Sequence, residues 1–445
     1  MKLNKNFLVA FLFLIILSFS LAIRLFRISE PKHYYFDEVY HVVTARAYAQ
    51  NNKAAYNPFS PPPEEGTAYD WLHPPLAKLF QAASIKLVGD NPLGWRLPSA
   101  IFGTGIIAAT FVLAFILFGP YTAIFASLII SFENLNLTMS RITMNDVFVT
   151  FFALVAFIFA ALFVKRGKNI FILFTAIFLG LAWASKWTGL YAILGVLLYL
   201  IITTFRRKIF NPYYLLLFIV PPLIYVVSYG QFWLMGYKIS DFVNLHKQIW
   251  WYQRRGDLKH SYATTPIFCA PEGLSGPKQF CPWALDVRPV YFSYEQYGSP
   301  RGEAGEKAGY IYNLGNPLVF WMGIIGVSFL IGKFLEERKS EYLLILVGYF
   351  IFWLPWVFTP RILFFHHYLP SIPFMAIALG SGLSLIFKTK FWIVPIVVIA
   401  MFAIAFFYFY PISSGYPIPI NDISRTICVG DNICVPKYMW LSTWR

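Results

Sequence analysis

Two carboxylates, Asp37 and Glu38, stand side by side in the stretch FDEVYH, just after the first long apolar run of the chain. Other ionisable residues sit in comparable places. They are His41; His73 and Lys78 in DWLHPPLAKL; Arg96 in GWRLPSA; Arg141 and Asp146 in SRITMND; Lys186 in ASKWTG; and Arg361, His366 and His367 in PRILFFHHYLP. These residue types suit a transfer reaction with an anionic leaving group. A carboxylate can act as general base on an attacking hydroxyl. Arginines and lysines can bind a phosphate, and arginine does so through a planar two-pronged contact. The chain has no Walker-type Gly-rich loop, so nucleotide binding has no support, and it has no Gly-x-Ser-x-Gly elbow or His-Glu-x-x-His pair either.

Each residue also has a plainer reading. Asp37 and Glu38 could cap the helix that the apolar spacing of FDEVYHVVTARAYA predicts. Arg96 and Arg361 could be snorkelling anchors at span ends. Lys186 and His73 could be turn residues. Asp146 could pair with its near neighbour Arg141. His366 and His367 could be interfacial aromatics. The case for a site therefore rests on the combination of residues.

The elements that must hold these residues are membrane helices. The chain has 445 residues, of which 58% are hydrophobic, 20% aromatic and only 13% charged, with a mean hydropathy of +0.59. A soluble domain carries about 25% charged residues. About eleven apolar runs approach the roughly 20 residues needed to span a bilayer. They lie near 7–23, 98–118, 121–138, 146–164, 169–184, 187–205, 213–229, 316–332, 342–358, 364–387 and 391–409. The first reads as an uncleaved span, because Arg24 and Arg27 follow it and no clear cleavage site does.

The net charge of +15 does not point to nucleic acid, because much of it sits in short clusters between apolar runs. The clusters are Lys165, Arg166 and Lys168; Arg206, Arg207 and Lys208; Lys333, Arg338 and Lys339; and Lys388 and Lys390. With the N-terminus inside, eleven spans put all four clusters on the cytoplasmic side. The segments 24–97 and 230–315 and the tail 410–445 then lie outside, and the ionisable residues above fall at outer span ends. Charges near hydrocarbon are costly and usually mark function, so one outer polar site is expected. The stretch NLHKQIWWYQRR, 244–255, reads as a helix lying along the membrane surface. All four cysteines fall in outer segments, and local pairing gives Cys269–Cys281 and Cys428–Cys434 in an oxidising compartment.

The stretches FDEVYHVVTARAY, HPPLAKL, GWRLPSAIFG, SRITMNDVFVTFF, GLAWASKWTGLY, RPVYFSYE and PRILFFHHYLPSIPF resemble, in order, the protein O-mannosyltransferases. That resemblance implies an all-α polytopic GT-C glycosyltransferase. Its transmembrane catalytic domain would cover 1–409, followed by the outer tail 410–445. The donor implied is dolichyl- or polyprenyl-phosphate mannose, and the acceptor a Ser or Thr of a secreted or membrane protein. Transfer would be an inverting single displacement on the extracytoplasmic face. Asp37 is implied as base with Glu38 in support, and Arg96 as a structural or phosphate-side residue. His73, Lys78, Arg96, Arg141, Asp146, Lys186, Arg361 and His367 are expected at the substrates. No cofactor is implied, although a divalent metal remains an option. The segment 230–315 is too short for the lumenal MIR-type domain of eukaryotic members, as in prokaryotic ones.

Two other readings compete. A GT-C transferase acting on a lipid or glycan would share the acids and the phosphate site and differ only in its acceptor groove. A transporter would place ionisable groups near the bilayer midplane, often with internal repeats. Here the groups lie at span ends and no repeat is visible.

Overall fold

The computed structural model describes residues 5–205, 211–269, 277–298, 307–423, 425–429 and 433–444. The expected basic cluster at 206–208 lies outside them. The first half contains α1 (Lys5–Leu25), α2 (Glu38–Ala49), α3 (Leu76–Val88), α4 (Pro92–Phe118), α5 (Pro120–Ser131), α6 (Asn134–Met139), α7 (Asp146–Arg166), α8 (Ile170–Ser185) and α9 (Gly189–Phe205). Next come α10 (Leu216–Ser228), α11 (Gly230–Leu234) and α12 (Ile239–Gln253), then four strands: β1 (Phe268–Cys269), β2 (Gln279–Phe280), β3 (Val290–Tyr297) and β4 (Lys307–Asn313). The chain closes with α13 (Pro317–Glu337), α14 (Ser340–Ile351), α15 (Ile372–Phe387), α16 (Ile393–Ser414), β5 (Ile418–Pro419), β6 (Thr426–Val429) and β7 (Ile433–Pro436).

Among the described residues, seven helical stretches are long and apolar enough to cross a membrane. They are Asn6–Leu25, Pro92–Phe118, Asp146–Arg166, Pro317–Glu337, Ser340–Phe358, Phe365–Phe387 and Ile393–Ser414. Four shorter apolar helices, Pro120–Ser131, Ile170–Ser185, Gly189–Thr204 and Pro212–Ser228, lie where the sequence suggested further spans. Length and composition alone therefore do not establish eleven. The protein is an integral, multi-pass membrane protein. The Phe365–Phe387 stretch and α7 are its two most enclosed spans, and α7 packs against α4, α8 and α9.

Two boundaries differ from expectation, each for a local reason. α4 starts six residues early because Asn91 caps it, accepting from Gly94 N at 3.1 Å, and Pro92 occupies the first turn. The expected span 121–138 breaks at Glu133. Its buried carboxylate accepts from Leu135 N at 2.9 Å, Asn136 N at 2.6 Å and Asn316 N at 3.2 Å. It thereby supplies the partner that α6's first N–H groups lack. Farther along, α13 and α15 pack so closely that a Cβ on Gly326 would sit 2.5 Å from Leu379 Cα.

Outside the helices, β3 and β4 pair antiparallel, and β5 adds to the free edge of β4. The tail is thus tied to the segment 286–313 and is not a separate appendage. Trp444 Nε1 donates to Asp286 O at 2.8 Å, and Arg288 donates to Thr443 O at 2.6 Å. α7 runs from Asp146 to the basic pair Lys165 and Arg166, and its 21 residues cover about 31 Å. The stretch 365–387 likewise starts at the paired histidines and ends beside Lys388.

Candidate active site

The chain turns sharply before α2. Phe36 adopts φ 51°, a left-handed conformation that costs a bulky residue free energy. Its ring stacks on Phe292 at 4.0 Å. Asp37 then takes the N-cap position, but its side chain makes no cap hydrogen bond. Glu38 makes the local bond instead, accepting from Tyr35 N at 3.4 Å. The cap reading therefore fails for Asp37, whose carboxylate faces a cavity of about 520 Å³.

Four parts of the chain line this cavity. α2 and the turn before it contribute Phe36, Asp37, Tyr40 and His41. The loop before α3 contributes Tyr69, Asp70, Trp71 and His73. The ends of α7 and α8 contribute Asp146 and Lys186. The far wall carries Tyr252, His260, Arg361, Phe364, His366 and His367. His41 follows Asp37 by four residues, so both side chains lie on one face of α2.

Most charges in the cavity are already paired. Lys186 Nζ lies 2.7 Å from Asp146 Oδ1. Asp70 sits among Lys78 Nζ at 2.8 Å, His41 Nδ1 at 3.0 Å and His73 Nδ1 at 3.4 Å. Burial pushes the Asp70 carboxyl up, but His73, Lys78 and His41 outweigh it and hold it well below the usual range. Burial lowers His73 to about 4 against the pull of Asp70, so its ring is neutral near pH 7. Asp37 and Arg361 are among the groups that keep capacity to spare. Burial raises the Asp37 carboxyl, offset in part by His41 and Lys186. Arg361 gives one N–H to Gln253 Oε1, lies over the Tyr252 ring at 5.6 Å, and leaves its buried Nε without a partner. The lining thus combines an unbonded carboxylate with an underused guanidinium, beside a Lys–Asp pair whose Asp146 Oδ2 is also unpartnered.

Several residues expected at the substrates lie behind the walls instead. Glu38 and Arg96 form a fully buried fork: Nε to Oε1 and Nη2 to Oε2, each 2.8 Å. Arg96 gives its other donors to Ile28 O, Pro31 O and His33 O, which uses all five of its N–H groups. Glu38 Oε1 also accepts from Thr143 N at 3.0 Å. Arg141 does not pair with Asp146. It donates to the carbonyls of Ile23, Arg24, Phe26, Arg27 and Ser414, at 2.7–3.4 Å. It is therefore a remote cap for the C-terminal end of α1, where carbonyls lack partners and a cation is favoured. Lys78 is enclosed by Asp70 and the His73 carbonyl. Lys78 and Arg96 have no donor free for a phosphate, and both terminal nitrogens of Arg141 are taken by carbonyls.

Asp70, Tyr252, Gln253 and His260 were not singled out for the site from sequence, and His41, noted among the polar residues at span ends, was given no role there. Asp70 stands three residues before His73 in DWLHPPLAKL, a spacing that could have flagged it. Tyr252 and Gln253 fall in the stretch read as a surface helix, and that reading obscured their inward faces. Trp250 and Trp251 are more than half exposed on α12, while Leu245 and Ile249 are buried. Cys269 and Cys281 are bonded, with Cα atoms 5.5 Å apart. The backbones of Cys428 and Cys434 face each other across β6 and β7, but their side chains lie outside the described residues. Among the described residues, no three His, Cys, Asp or Glu side chains stand so as to hold a metal ion.

Comparison with known proteins places this geometry in a family. Residues 14–235 match the family described as dolichyl-phosphate-mannose-protein mannosyltransferase. Residues 238–429 match the C-terminal four-TMM region of protein-O-mannosyltransferase. The polyprenol-phosphate-mannose–protein mannosyltransferase of Mycolicibacterium smegmatis is 23% identical over 442 residues, covering 84% of this chain and 82% of that protein. Its Corynebacterium glutamicum counterpart is 24% identical over 449 residues, with 84% and 81% covered. The structure of the Saccharomyces cerevisiae protein O-mannosyltransferase complex with its sugar donor superposes with a TM-score of 0.76 at 16% identity. That alignment covers 100% of this chain and 93% of that one. ArnT from Cupriavidus metallidurans bound to undecaprenyl phosphate aligns at a TM-score of 0.55 and 15% identity, with 90% and 64% covered. The architecture is thus that of the GT-C glycosyltransferases, and the chain belongs to the protein O-mannosyltransferase family.

Proposed function

We propose that this protein transfers mannose from a polyprenyl-phosphate mannose to Ser or Thr hydroxyls of proteins, with inversion, at the extracytoplasmic membrane face. The observation that carries the reading is the free Asp37 carboxylate in one cavity with the underused Arg361 guanidinium. The acceptor hydroxyl gives its proton to Asp37 as its oxygen attacks the anomeric carbon. The bond from that carbon to the phosphate oxygen breaks, and the electron pair leaves with the phosphate. Arg361, with the spare N–H groups of Lys186, is placed to stabilise that charge. Asp70 holds His41 and His73 at the cavity wall beside Asp37. The relatives' names, which specify a polyprenol-phosphate-mannose donor and a protein acceptor, support the substrates.

The outward orientation draws support from charge placement. α7 and the 365–387 stretch each put the cavity at one end and Lys165, Arg166 or Lys388 at the other. Basic loops favour the cytoplasm. The test is purified protein with labelled polyprenyl-phosphate mannose and a Ser/Thr-rich peptide. Label appearing on the peptide in α-linkage to Ser or Thr supports the reading. Label appearing only on a lipid or glycan acceptor overturns it in favour of the other GT-C activity.

A further inference from the structure

α12 presents different residues inward and outward. Inward, Leu245 and Ile249 are buried, and Tyr252 lines the cavity that holds Asp37. Outward, Ile239, Val243, Lys247, Trp250 and, at the C-cap, Arg254 recur at intervals of four and three residues, which puts them on one face. All five are exposed, Ile239 to 75% and Trp250 to 56%, and Trp251 stands beside them at 57%. No acid is among the exposed residues of α12. Lys247 and Arg254 make no ion pair or side-chain hydrogen bond among the described residues. Arg254 lies over the Trp250 ring at 5.7 Å.

α12 is tied along its length to places where apolar helices finish. α10 ends at Ser228 and α12 begins at Ile239, with only the short α11 between them. In its middle, His246 Nε2 meets Tyr225 Oη of α10 at 2.8 Å. At its far end, Gln253 accepts from Arg361, just past the spanning stretch Ser340–Phe358. A 15-residue helix held in this way runs about 22 Å across the membrane surface. Its open face continues the apolar surface of α10, where Leu223, Val226 and Val227 are exposed, through the exposed Leu234. Helices at a membrane interface carry Trp at the headgroup level and Lys or Arg that attract anionic lipid.

We infer that α12 rests on the leaflet at the cavity side of the membrane, with Lys247 and Arg254 on the phosphates of anionic phospholipids and Trp250 and Trp251 among the headgroups. Tyr252 and Gln253 adjoin these residues and hold Arg361 from the inner side, so the lipid contact fixes the cation that faces the donor. The contact itself stands on the geometry of α12. Its effect on the donor rests on the proposed transfer and deepens it, making the surrounding bilayer a regulator of donor use.

Full-length protein in nanodiscs of phosphatidylcholine, with or without phosphatidylglycerol, tests it. A nitroxide on Val243→Cys should be reached by oxygen from the lipid and shielded from an aqueous nickel reagent. Phosphatidylglycerol should draw that label deeper and lower the donor KM about fivefold, the scale of one cation at an anionic surface. Lys247→Gln with Arg254→Gln should abolish both lipid effects and leave kcat and thermal stability unchanged. Lys247→Arg with Arg254→Lys, which keeps the charges, should retain them. A label open to the nickel reagent overturns the inference, and so does one shielded from both reagents, which would mark a protein–protein contact. No lipid effect on the label, or on the donor KM of an active protein, overturns it, as does an effect that the glutamine variant keeps. The label also separates this idea from the transfer reading. A label that phosphatidylglycerol deepens and the glutamine variant releases, in a protein that transfers no mannose, keeps the lipid contact and removes the proposed activity.

Discussion

Asp37 and Glu38 are neighbours in sequence with similar chemistry, yet they occupy opposite environments. Glu38 is enclosed, with both oxygens bonded to Arg96 and further bonds to Tyr35 N and Thr143 N. Asp37, one residue earlier, faces open volume and makes no cap bond. The cations divide in the same way. Arg96 and Arg141 spend their donors on carbonyls and Glu38, whereas Arg361 holds donors in reserve. A carboxylate or guanidinium in this protein is therefore committed to the fold or left open to a ligand according to how many partners the fold has already given it.

The largest break in that comparison should come from Asp37→Asn, which keeps the shape and removes the base. Loss of a general base typically costs about 10²–10⁴-fold in rate. The transfer rate should fall by that order while donor binding and thermal stability stay near normal. Both are measurable on one purified sample. Near-normal turnover would move the base elsewhere in the cavity.

Glu38→Gln should behave in the opposite way. It leaves the Arg96 charge buried with a poorer partner, and breaking such a pair costs about 3–5 kcal/mol. A thermal melt monitored by size exclusion should show a marked loss of folded protein. The comparison collapses if Glu38→Gln is as stable as the unaltered protein yet inactive.

The pH profile sharpens the same contrast. Burial raises the Asp37 carboxyl, so its protonated form persists to higher pH than for an ordinary aspartate near 3.9. A base must be ionised. Activity should therefore fall as pH drops through that raised value, by about tenfold per unit once below it. Asp70 is held well below its usual range and stays charged there, so the limb belongs to Asp37. A profile flat down to the ordinary aspartate range would assign the base to an unburied group.

Smaller effects belong to the cation. Arg361→Lys keeps the charge and loses the planar fork, which should raise the donor KM about tenfold, equivalent to one charge-assisted hydrogen bond of about 1.5 kcal/mol. Tyr252→Leu removes the ring beneath Arg361 and should raise the donor KM about threefold, the scale of a cation–π contact of about 0.7 kcal/mol. Tyr252→Phe should be silent. An unchanged donor KM in Arg361→Lys would make Arg361 an interfacial anchor.

Much of this division could not be read from the chain alone. Asp37, Asp146, Lys186, Arg361, His73 and His367 were recognisable as candidates because polar residues at span ends stand out against an apolar background, and all six line the cavity. What a linear pattern does not record is how many partners each finds. Arg141 looked like Asp146's mate at a separation of five. Its carbonyls instead arrive from residues 114–118 positions earlier and from Ser414. Asp146 takes Lys186, 40 residues away. The helix break at Glu133 was likewise hidden, because a single acid in an apolar run carries no sign that three backbone N–H groups will meet it.

Glu133 also sets an order of events during synthesis. Two of its backbone donors, at Leu135 and Asn136, leave the ribosome almost with it, but the third, at Asn316, follows 183 residues later. At 5–20 residues per second that delay is roughly 9–37 s. Asn316 in turn donates to Phe402 O, a further 86 residues on. The acid-marked break between α5 and α6 is thus a docking point left open by the first half of the nascent chain, and the second half must arrive before it closes.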